Sequence, residues 1–291
     1  MGHRVTISGT GREIAGGQAL VSGTARTLAG GRTRVAGTAY DIPLDRFDPV
    51  LNNNTWEMIS KAAQKGVAEN IWSVGDTKEI TLSGSVNGVN LSGTYLCYIL
   101  GFNHNAALEG DNRIHFQLAR STAGKELCFA TFQLNKTYST NGGWEACNLR
   151  NAILGTDPTD CAGTFLGTFP ADLLAVLRPT QKYSDNGTGA ATTVTATTDY
   201  LWIPAEKEVF GTITEGTSAQ GAYQAQYAYY AAGGDLERYS HLRQTYSVEW
   251  WLRSRARSGV TIMNFCYVND YGNLAIDIPS ESLGVAPIFC V

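Results

Sequence analysis

The chain has 291 residues, of which only 16% are charged, and it is rich in glycine (32) and tyrosine (14). This composition favours a loop-rich β or α+β protein over a helical bundle. The formal net charge of −4 argues against binding to nucleic acid or to an anionic membrane surface. No apolar run approaches the roughly 20 residues of a membrane helix, and the N-terminal stretch lacks the apolar core of a signal peptide. We therefore expect no membrane insertion, and synthesis and folding in a cytosol.

The chain begins with a Gly/Thr-rich unit that recurs every 14 residues, with Gly9, Gly23 and Gly37 at equivalent positions. Each unit reads as a short strand, a Gly-Gly turn and a return strand. One such unit cannot bury a core alone, and three barely could. Residues 1–44 therefore predict an all-β repeat appendage for attachment or oligomerisation, with a trimer favoured. It is completed either by its own chain or by neighbouring subunits.

Residues 45–291 predict a mixed series of helices and strands. A helix is expected after a cap at Asn54 or Thr55 and before Gly66. Strands follow between residues 71 and 134, and two short helices cover 145–154 and 171–177.

The second half of this region is richer in strand formers. Residues 184–198 read as a surface loop, residues 205–210 as a helical turn, and Tyr223, Tyr227 and Tyr230 as the packed face of a helix. Residues 250–254, 263–268 and 287–291 predict strands, the last of them central in its sheet.

The six cysteines contain no C-x-x-C pair, so the sequence favours free thiols over a zinc site. Cys266 and Cys290 lie in late strand-like segments, and a disulfide between them stays open at this stage. No metal and no other cofactor is predicted.

Four motifs follow one another in the second region: GGWEACNLR (142–150), LWIPAE (201–206), WWLRS (250–254) and GVAPIF (284–289). Over roughly residues 47–291, this ordered set resembles a domain family of Gram-positive gut bacteria and their phages. That family is similar to C-type-lectin folds, to phage tropism determinants and, more distantly, to formylglycine-generating enzymes. The resemblance implies an α+β, C-type-lectin-like domain over residues 45–291.

The N-terminal repeats are in turn similar to those at the start of virion proteins from gut phages. Together the two resemblances imply a bacteriophage virion surface protein of the tail-tip, fibre or decoration type, acting in host adhesion without catalysis. The implied partners are a bacterial cell-surface glycan or protein and, through residues 1–44, other virion proteins. The alternatives are a purely structural virion subunit and, less favoured, an oxidase of the formylglycine-generating type.

By structural analogy with tropism proteins, the expected binding surface lies on the last strands and their loops. The candidate ligand-binding residues are Arg253, Arg255, Arg257, Asn264, Tyr267, Asn269, Tyr271, Asn273 and Asp277. The three arginines alternate, so in a strand they share a face that could grip carboxylates, phosphates or sugars. In the alternative, Arg253 pairs internally with a buried carboxylate such as Glu249, and the other two arginines are solvated. The motifs of calcium-dependent lectins are absent from the sequence.

No enzyme is predicted, because the sequence contains no G-x-S-x-G, no H-E-x-x-H and no phosphate-binding loop. The best candidate for metal ligation or acid–base chemistry is the set His104, Glu109, Asp111 and His115. The favoured alternative is a polar loop over residues 101–112, with His115 satisfied by its neighbours. An oxidase would need a reactive cysteine pair, and no matching local motif surrounds Cys266 and Cys290.

Overall fold

The computed structural model describes residues 46–121, 130–233, 249–257 and 263–291, and the backbone of four short strands between residues 18 and 42. The first N-terminal repeat, residues 43–45 and Cys128 lie outside the described residues. Backbone contacts divide the chain into two units, Met1–Val50 and Leu51–Val291. Within the described residues, no helix has the length and apolarity needed to cross a membrane.

The first unit contains two antiparallel hairpins. Its strands are β1 (Gln18–Val21), β2 (Thr24–Thr27), β3 (Gly31–Val35) and β4 (Thr38–Ile42). Val21 is paired with Thr24 in the first hairpin and Val35 with Thr38 in the second. The predicted hairpins across Gly-Gly are wrong for these two repeats, because β3 pairs with β4 and not with β2.

The second unit combines short helices with several sheets, which confirms the α+β class. Its strands are β5 (Thr77–Leu82), β6 (Ser85–Val86), β7 (Val89–Asn90), β8 (Gly93–Phe102), β9 (Ile114–Ser121), β10 (Thr131–Gln133), β11 (Thr180–Asp185), β12 (Val194–Asp199), β13 (Leu201–Trp202), β14 (Trp250–Arg255), β15 (Phe265–Val268), β16 (Leu274–Asp277), β17 (Ser282–Gly284) and β18 (Ile288–Cys290). The α-helices are α1 (Trp56–Gln64), α2 (Ala106–Glu109), α3 (Gly143–Ala146), α4 (Ala171–Leu174), α5 (Glu206–Phe210), α6 (Ser218–Gly221) and α7 (Ala228–Gly233). Leu51–Asn53, Ala68–Asn70 and Leu166–Thr168 form 3-10 turns, and Leu149–Leu154 forms a π-helix.

Two five-stranded sheets organise the described part of this unit. The first has the order β13-β18-β9-β8-β5, and the second has the order β10-β17-β14-β15-β16. The predicted central position of the last strand is confirmed, since β18 pairs with β13 on one side and with β9 on the other. Phe289 on β18 stacks on Phe116 of β9, with ring centroids 5.5 Å apart, in a buried aromatic core.

The predicted first helix is confirmed as α1. Thr55 caps it by accepting a hydrogen bond on Oγ1 from the Met58 N–H at 3.2 Å. Trp56 and Ile59 lie on its buried face, and the Trp56 ring meets Phe116 edge to face at 5.4 Å. The helix therefore covers one side of the first sheet through a few large apolar contacts.

Three predicted elements differ from the structure. The expected surface loop over residues 184–198 is a loop over residues 186–193, whereas 184–185 and 194–198 belong to the paired strands β11 and β12. The expected helix over residues 145–154 is interrupted at Cys147, because the N–H groups of Asn148 and Leu149 bond to Asn135 and Leu134 instead. Hydrogen bonds between distant segments override the local pattern in both places.

The third difference concerns the tyrosines at helical spacing, which do not lie on one helix. Tyr227 and Tyr230 are buried, whereas Tyr223 is partly exposed and stacks on Tyr183 of the β11–β12 hairpin. The packed-face prediction therefore holds for two of the three tyrosines.

Candidate functional site

A buried ionic cluster lies where α2, α5, β11 and β14 meet. Its centre is Lys182 on β11, whose Nζ lies 2.8 Å from Oε2 of Glu109 and 3.0 Å from Oε1 of Glu208. The ammonium group also lies over the ring of Trp202, 4.9 Å from its centroid. Lys182 is fully buried, so the two carboxylates and the aromatic face replace the water that it loses.

Arg253 on β14 closes the cluster from the opposite side. Its two terminal nitrogens bond to both oxygens of Glu208, one at 2.8 Å, in a bidentate pair. Its remaining N–H groups donate to Ser184 Oγ at 3.1 Å and to the Ile203 carbonyl at 3.0 Å. The LWIPAE and WWLRS motifs therefore meet side by side, and Glu208, two residues past the first motif, is the carboxylate that joins them.

Two histidines and a tyrosine border the cluster. The His104 ring stacks on Tyr227 with centroids 3.7 Å apart, and His115 Nδ1 lies 3.1 Å from the Tyr227 hydroxyl. A nitrogen of each imidazole lies 3.9 Å from a Glu109 oxygen. The structure thus brings together three of the four residues predicted as a polar cluster, while Asp111 is exposed and apart from it.

Burial and the two cations set the protonation of these groups. Burial alone would raise the pKa of Glu208, but Arg253 and Lys182 outweigh it and hold that pKa well below its usual range. Burial raises the pKa of Glu109 more than Lys182 lowers it. Burial, with Lys182, lowers the pKa of His104 to about 3 and that of His115 well below 6.5. Both imidazoles are therefore neutral at pH 7.

The donor set does not fit a resident metal ion. Single ligand atoms of His104, Glu109 and Glu208 do lie within 4.8 Å of one another. However, the Lys182 ammonium already bridges the two carboxylates, and Arg253 engages both oxygens of Glu208. A metal ion would have to displace or oppose two buried cations.

Arg255 and Arg257 extend the row of arginines along the β11–β12 hairpin. Both donate to the Gly189 carbonyl, at 2.9 and 2.8 Å, and Arg255 also bonds to the Gly187 carbonyl. Each lies within 4 Å of the buried carboxylate of Asp185. All three arginines contact this hairpin, although Arg257 lies beyond the end of β14.

The prediction that these arginines form a ligand-gripping surface is wrong for Arg253 and Arg255. Both side chains are fully buried, and the terminal nitrogens of both guanidinium groups bond inside the fold. Arg257 is partly exposed, but its guanidinium also binds the loop, including Thr192 Oγ1 at 3.0 Å. The carboxylate that pairs with Arg253 is Glu208, so the alternative partner Glu249 is wrong as well.

The remaining predicted residues lie on or beside the hairpin of β15 and β16. Asn269 Oδ1 accepts hydrogen bonds from the N–H groups of Tyr271 at 3.0 Å and Asn273 at 2.9 Å. Gly272 completes the turn with a φ of +80°. Tyr271 is 66% exposed and Asn273 is exposed, so this braced turn presents an aromatic ring and an amide to solvent.

The strands behind the turn carry half-buried polar side chains. Tyr267 meets Trp251 edge to face at 6.1 Å, and its cross-strand partner is Ala275. Asp277 is partly exposed on β16, and Asn264, also partly exposed, precedes β15 and accepts the Ala256 N–H on its backbone carbonyl.

Two further acidic residues, Glu249 and Asp270, belong to this surface, although the sequence did not single them out for binding. Burial raises the pKa of Glu249, and the nearby carboxylates of Asp270 and Asp277 raise it further. The pKa of Tyr267 is also raised by burial and by the same three acids. The hairpin surface therefore has an acidic and aromatic character in place of the basic one expected from the arginines.

The cysteines of the described residues are free thiols. Cys266 lies in the second sheet and Cys290 in the first, so the disulfide left open by the sequence is not formed. Burial raises the pKa of both thiols, which keeps them protonated and unreactive.

Comparison with known proteins gives one match. A family model described as "Domain of unknown function (DUF6273)" matches residues 124–291. This range contains Lys182, Glu208, Arg253 and the β15–β16 hairpin, and it begins after His104, Glu109 and His115. No curated protein and no solved structure matches the chain.

Proposed function

The chain belongs to the DUF6273 domain family, and we propose that it is a non-catalytic binding protein of a bacteriophage particle that recognises a bacterial cell-surface glycan. The observation that carries this proposal is the β15–β16 turn. It presents Tyr271 and Asn273 to solvent on a backbone that Asn269 braces with two hydrogen bonds.

The chemistry of this surface suits a carbohydrate. Aromatic faces stack on the apolar faces of sugar rings, and amide and carboxylate groups bond to sugar hydroxyls. Tyr271 and Tyr267 supply the rings, while Asn273 and Asp277 supply the polar groups. A turn that is already ordered loses little conformational freedom on binding, which favours affinity.

The ionic cluster supports a role without catalysis. His104 and Glu109 are its most accessible members, at 6% and 5% exposure, and Lys182, Glu208 and Arg253 are at 1% or less. A substrate would have to open the core to reach them. Their charges are already matched by one another, as expected for a structural network.

The lectin-like fold and the phage particle rest on the resemblance of the four motifs and of the N-terminal repeats. The mixed helices and sheets of the second unit are compatible with a C-type-lectin-like domain. In this proposal residues 45–291 bind the host surface and residues 1–44 connect to the particle.

The proposal is tested by binding of the fluorescently labelled full-length chain to whole Gram-positive gut bacteria. We expect saturable binding that purified cell-wall glycan inhibits, and that the Tyr271→Ala/Asn273→Ala double variant loses. Tyr138→Ala is the matched control, because Tyr138 is 62% exposed and lies outside the hairpin.

Three results would go against the proposal. Absence of binding by a folded chain to every strain would favour the purely structural virion subunit. Binding that protease treatment of the cells abolishes would point to a protein receptor. Equal binding by the double variant and by Tyr138→Ala would place the site elsewhere.

A further inference from the structure

Lys182 and Glu109 hold an amine against a carboxyl group inside the fold. Lys182 Nζ on β11 lies 2.8 Å from Oε2 of Glu109, the last residue of α2. Lys182 is fully buried and Glu109 is 5% exposed, and the rings of Trp202 and Tyr227 lie 4.9 and 5.6 Å from Nζ. Two groups held together in a site without bulk water are placed for reaction, because the fold has already oriented them.

Only one of the two carboxyl groups around Lys182 suits amide formation. Both oxygens of Glu208 are engaged by Arg253, which keeps this carboxylate ionised and therefore unreactive towards an amine. Among the described residues, Glu109 has no arginine partner, and burial raises its pKa. Glu109 is therefore the group that takes the neutral acid form, whose carbon an amine attacks.

The two oxygens of Glu109 have different surroundings. Oε2 faces the amine, whereas Oε1 accepts a hydrogen bond from Asn105 Nδ2 at 3.4 Å and lies 3.9 Å from His104 Nε2. That His104 nitrogen is buried and has no hydrogen-bond partner among the described residues. When the neutral imidazole carries its proton on Nε2, it and the Asn105 amide are two donors beside Oε1. Donors at this oxygen stabilise the negative charge that develops when an amine attacks the carboxyl carbon.

We propose that Lys182 and Glu109 form an intramolecular amide bond that joins β11 to α2. The ion pair in the structure is the state before this reaction. One proton passes from Nζ to Oε2 along their contact, which leaves an amine beside a carboxylic acid. The nitrogen lone pair then forms a bond to Cδ of Glu109. Glu208 Oε1, 3.0 Å from Nζ, accepts a proton from the nitrogen and passes it to the Oε2 hydroxyl, which leaves as water when its bond to Cδ breaks.

The reaction removes two buried charges from the ionic cluster. The amide is neutral, and the remaining pair of Glu208 and Arg253 is matched in charge. The desolvation of an ammonium and a carboxylate opposes the buried ion pair and therefore favours the amide. The bond links residues 73 positions apart, forms once per chain and turns over no substrate. It does not depend on glycan binding.

The test is the intact mass of the full-length chain under denaturing conditions, with each variant compared with the mass of its own sequence. We expect the wild type to be lighter than its sequence mass of 31.3 kDa by one water molecule. Tryptic digestion should release the peptide that contains Glu109 linked to a peptide in which the chain is uncut at Lys182. Lys182→Arg keeps the positive charge but lacks the amine, so it should show its full sequence mass.

Lys78→Arg is the matched control. Lys78 is also buried, but its ammonium donates to the backbone carbonyl of Asn54 at 2.6 Å. This variant should lose one water molecule, as the wild type does. Lys182→Met, checked for folding by circular dichroism, gives a second variant without the amine and should also keep its full sequence mass.

Two results would overturn the proposal. A wild-type chain with its full sequence mass would mean that Lys182 and Glu109 form an ion pair only. A loss of water that persists in Lys182→Arg would mean that another residue is its source. A role of Lys182 in stability alone would leave every mass unchanged, so the measurement separates the two roles.

Discussion

Lys182 and Arg253 show how this fold accommodates two buried cations. Each is fully buried, and together they share the carboxylate of Glu208, while Lys182 also binds Glu109. Such a pair contributes little net stability relative to an apolar core, because desolvation offsets most of the attraction. Removing a single partner is far more costly, since the other charge is left buried and uncompensated.

We therefore expect Arg253→Met to destabilise the fold by about 3–5 kcal/mol, as other broken buried pairs do. Arg257→Met is the control, because Arg257 is partly exposed, and its loss should be about 1 kcal/mol or less. Urea unfolding followed by circular dichroism measures both values. Equal losses in the two variants would contradict a structural role for the Glu208–Arg253 pair.

The buried histidines make stability depend on pH. In the unfolded chain, His104 binds a proton below its ordinary pKa of 6.5, whereas in the fold its pKa is about 3. Its contribution to stability is therefore complete above pH 6.5 and decreases as the pH falls from 6.5 towards 3. The raised pKa of Glu109 has the opposite effect, because it makes the fold more stable as the pH falls. The effect of His104 is therefore measured by comparing a variant that lacks this histidine with the wild type.

We expect His104→Phe, which keeps a ring against Tyr227, to reduce the pH slope of the unfolding free energy between pH 6.5 and 5. The reduction approaches about 1.4 kcal/mol per pH unit, the value for one proton. Urea titrations at several pH values measure the slope. A slope identical to that of the wild type would mean that His104 is protonated in the native protein.

At the scale of elements, a close backbone contact fixes α3 against the β11–β12 hairpin. Gly143 has a φ of +52°, and a Cβ at this position would lie 2.2 Å from the Asp185 carbonyl oxygen. Trp144, the next residue, donates from Nε1 to Asp199 Oδ2 at 2.9 Å on β12. The GGWEACNLR motif therefore needs glycine where the helix backbone touches the hairpin.

Gly143→Ala should destabilise the protein by more than about 3 kcal/mol, because it combines a backbone clash with an unfavourable φ. Gly163→Ala provides the comparison, since Gly163 has a φ of +77° but nothing within 4 Å of the added Cβ. That variant should lose only about 1–2 kcal/mol, the cost of the left-handed conformation. Similar melting temperatures for the two variants would show that the hairpin moves away from α3.

The elements also show what local pattern can predict. Thr55 and Gly66 predict the start and the end of α1, because helix capping depends on a few neighbouring residues. Residues 184–198 predict a loop, since their Gly, Thr and Ala residues favour turns when taken alone, and only residues 186–193 form one. The rest are strands because β11 and β12 pair with each other.

At the scale of the whole molecule, the α+β class follows from composition and motif order, but the ionic cluster does not. Lys182 is 73 residues from Glu109, and Arg253 is 45 residues from Glu208. These residues lie on α2, β11, α5 and β14, which are distant in sequence and meet only in the folded chain. The prediction of an arginine-lined surface failed for the same reason, since a strand pattern gives a shared face without showing whether that face is buried.

The whole domain thus separates its polar groups into two sets. The charged cluster is enclosed, and the aromatic and amide groups of the β15–β16 turn are exposed. We propose that the exposed set binds the ligand and that the enclosed set holds the fold.

Calorimetric titration of the full-length chain with purified cell-wall glycan measures the role of the exposed set. We expect Tyr271→Ala/Asn273→Ala to weaken binding at least roughly tenfold, or about 1.4 kcal/mol, with an unchanged melting temperature. Tyr138→Ala should match the wild type in both respects. Unchanged affinity in the double variant would mean that ligand recognition lies outside the β15–β16 turn.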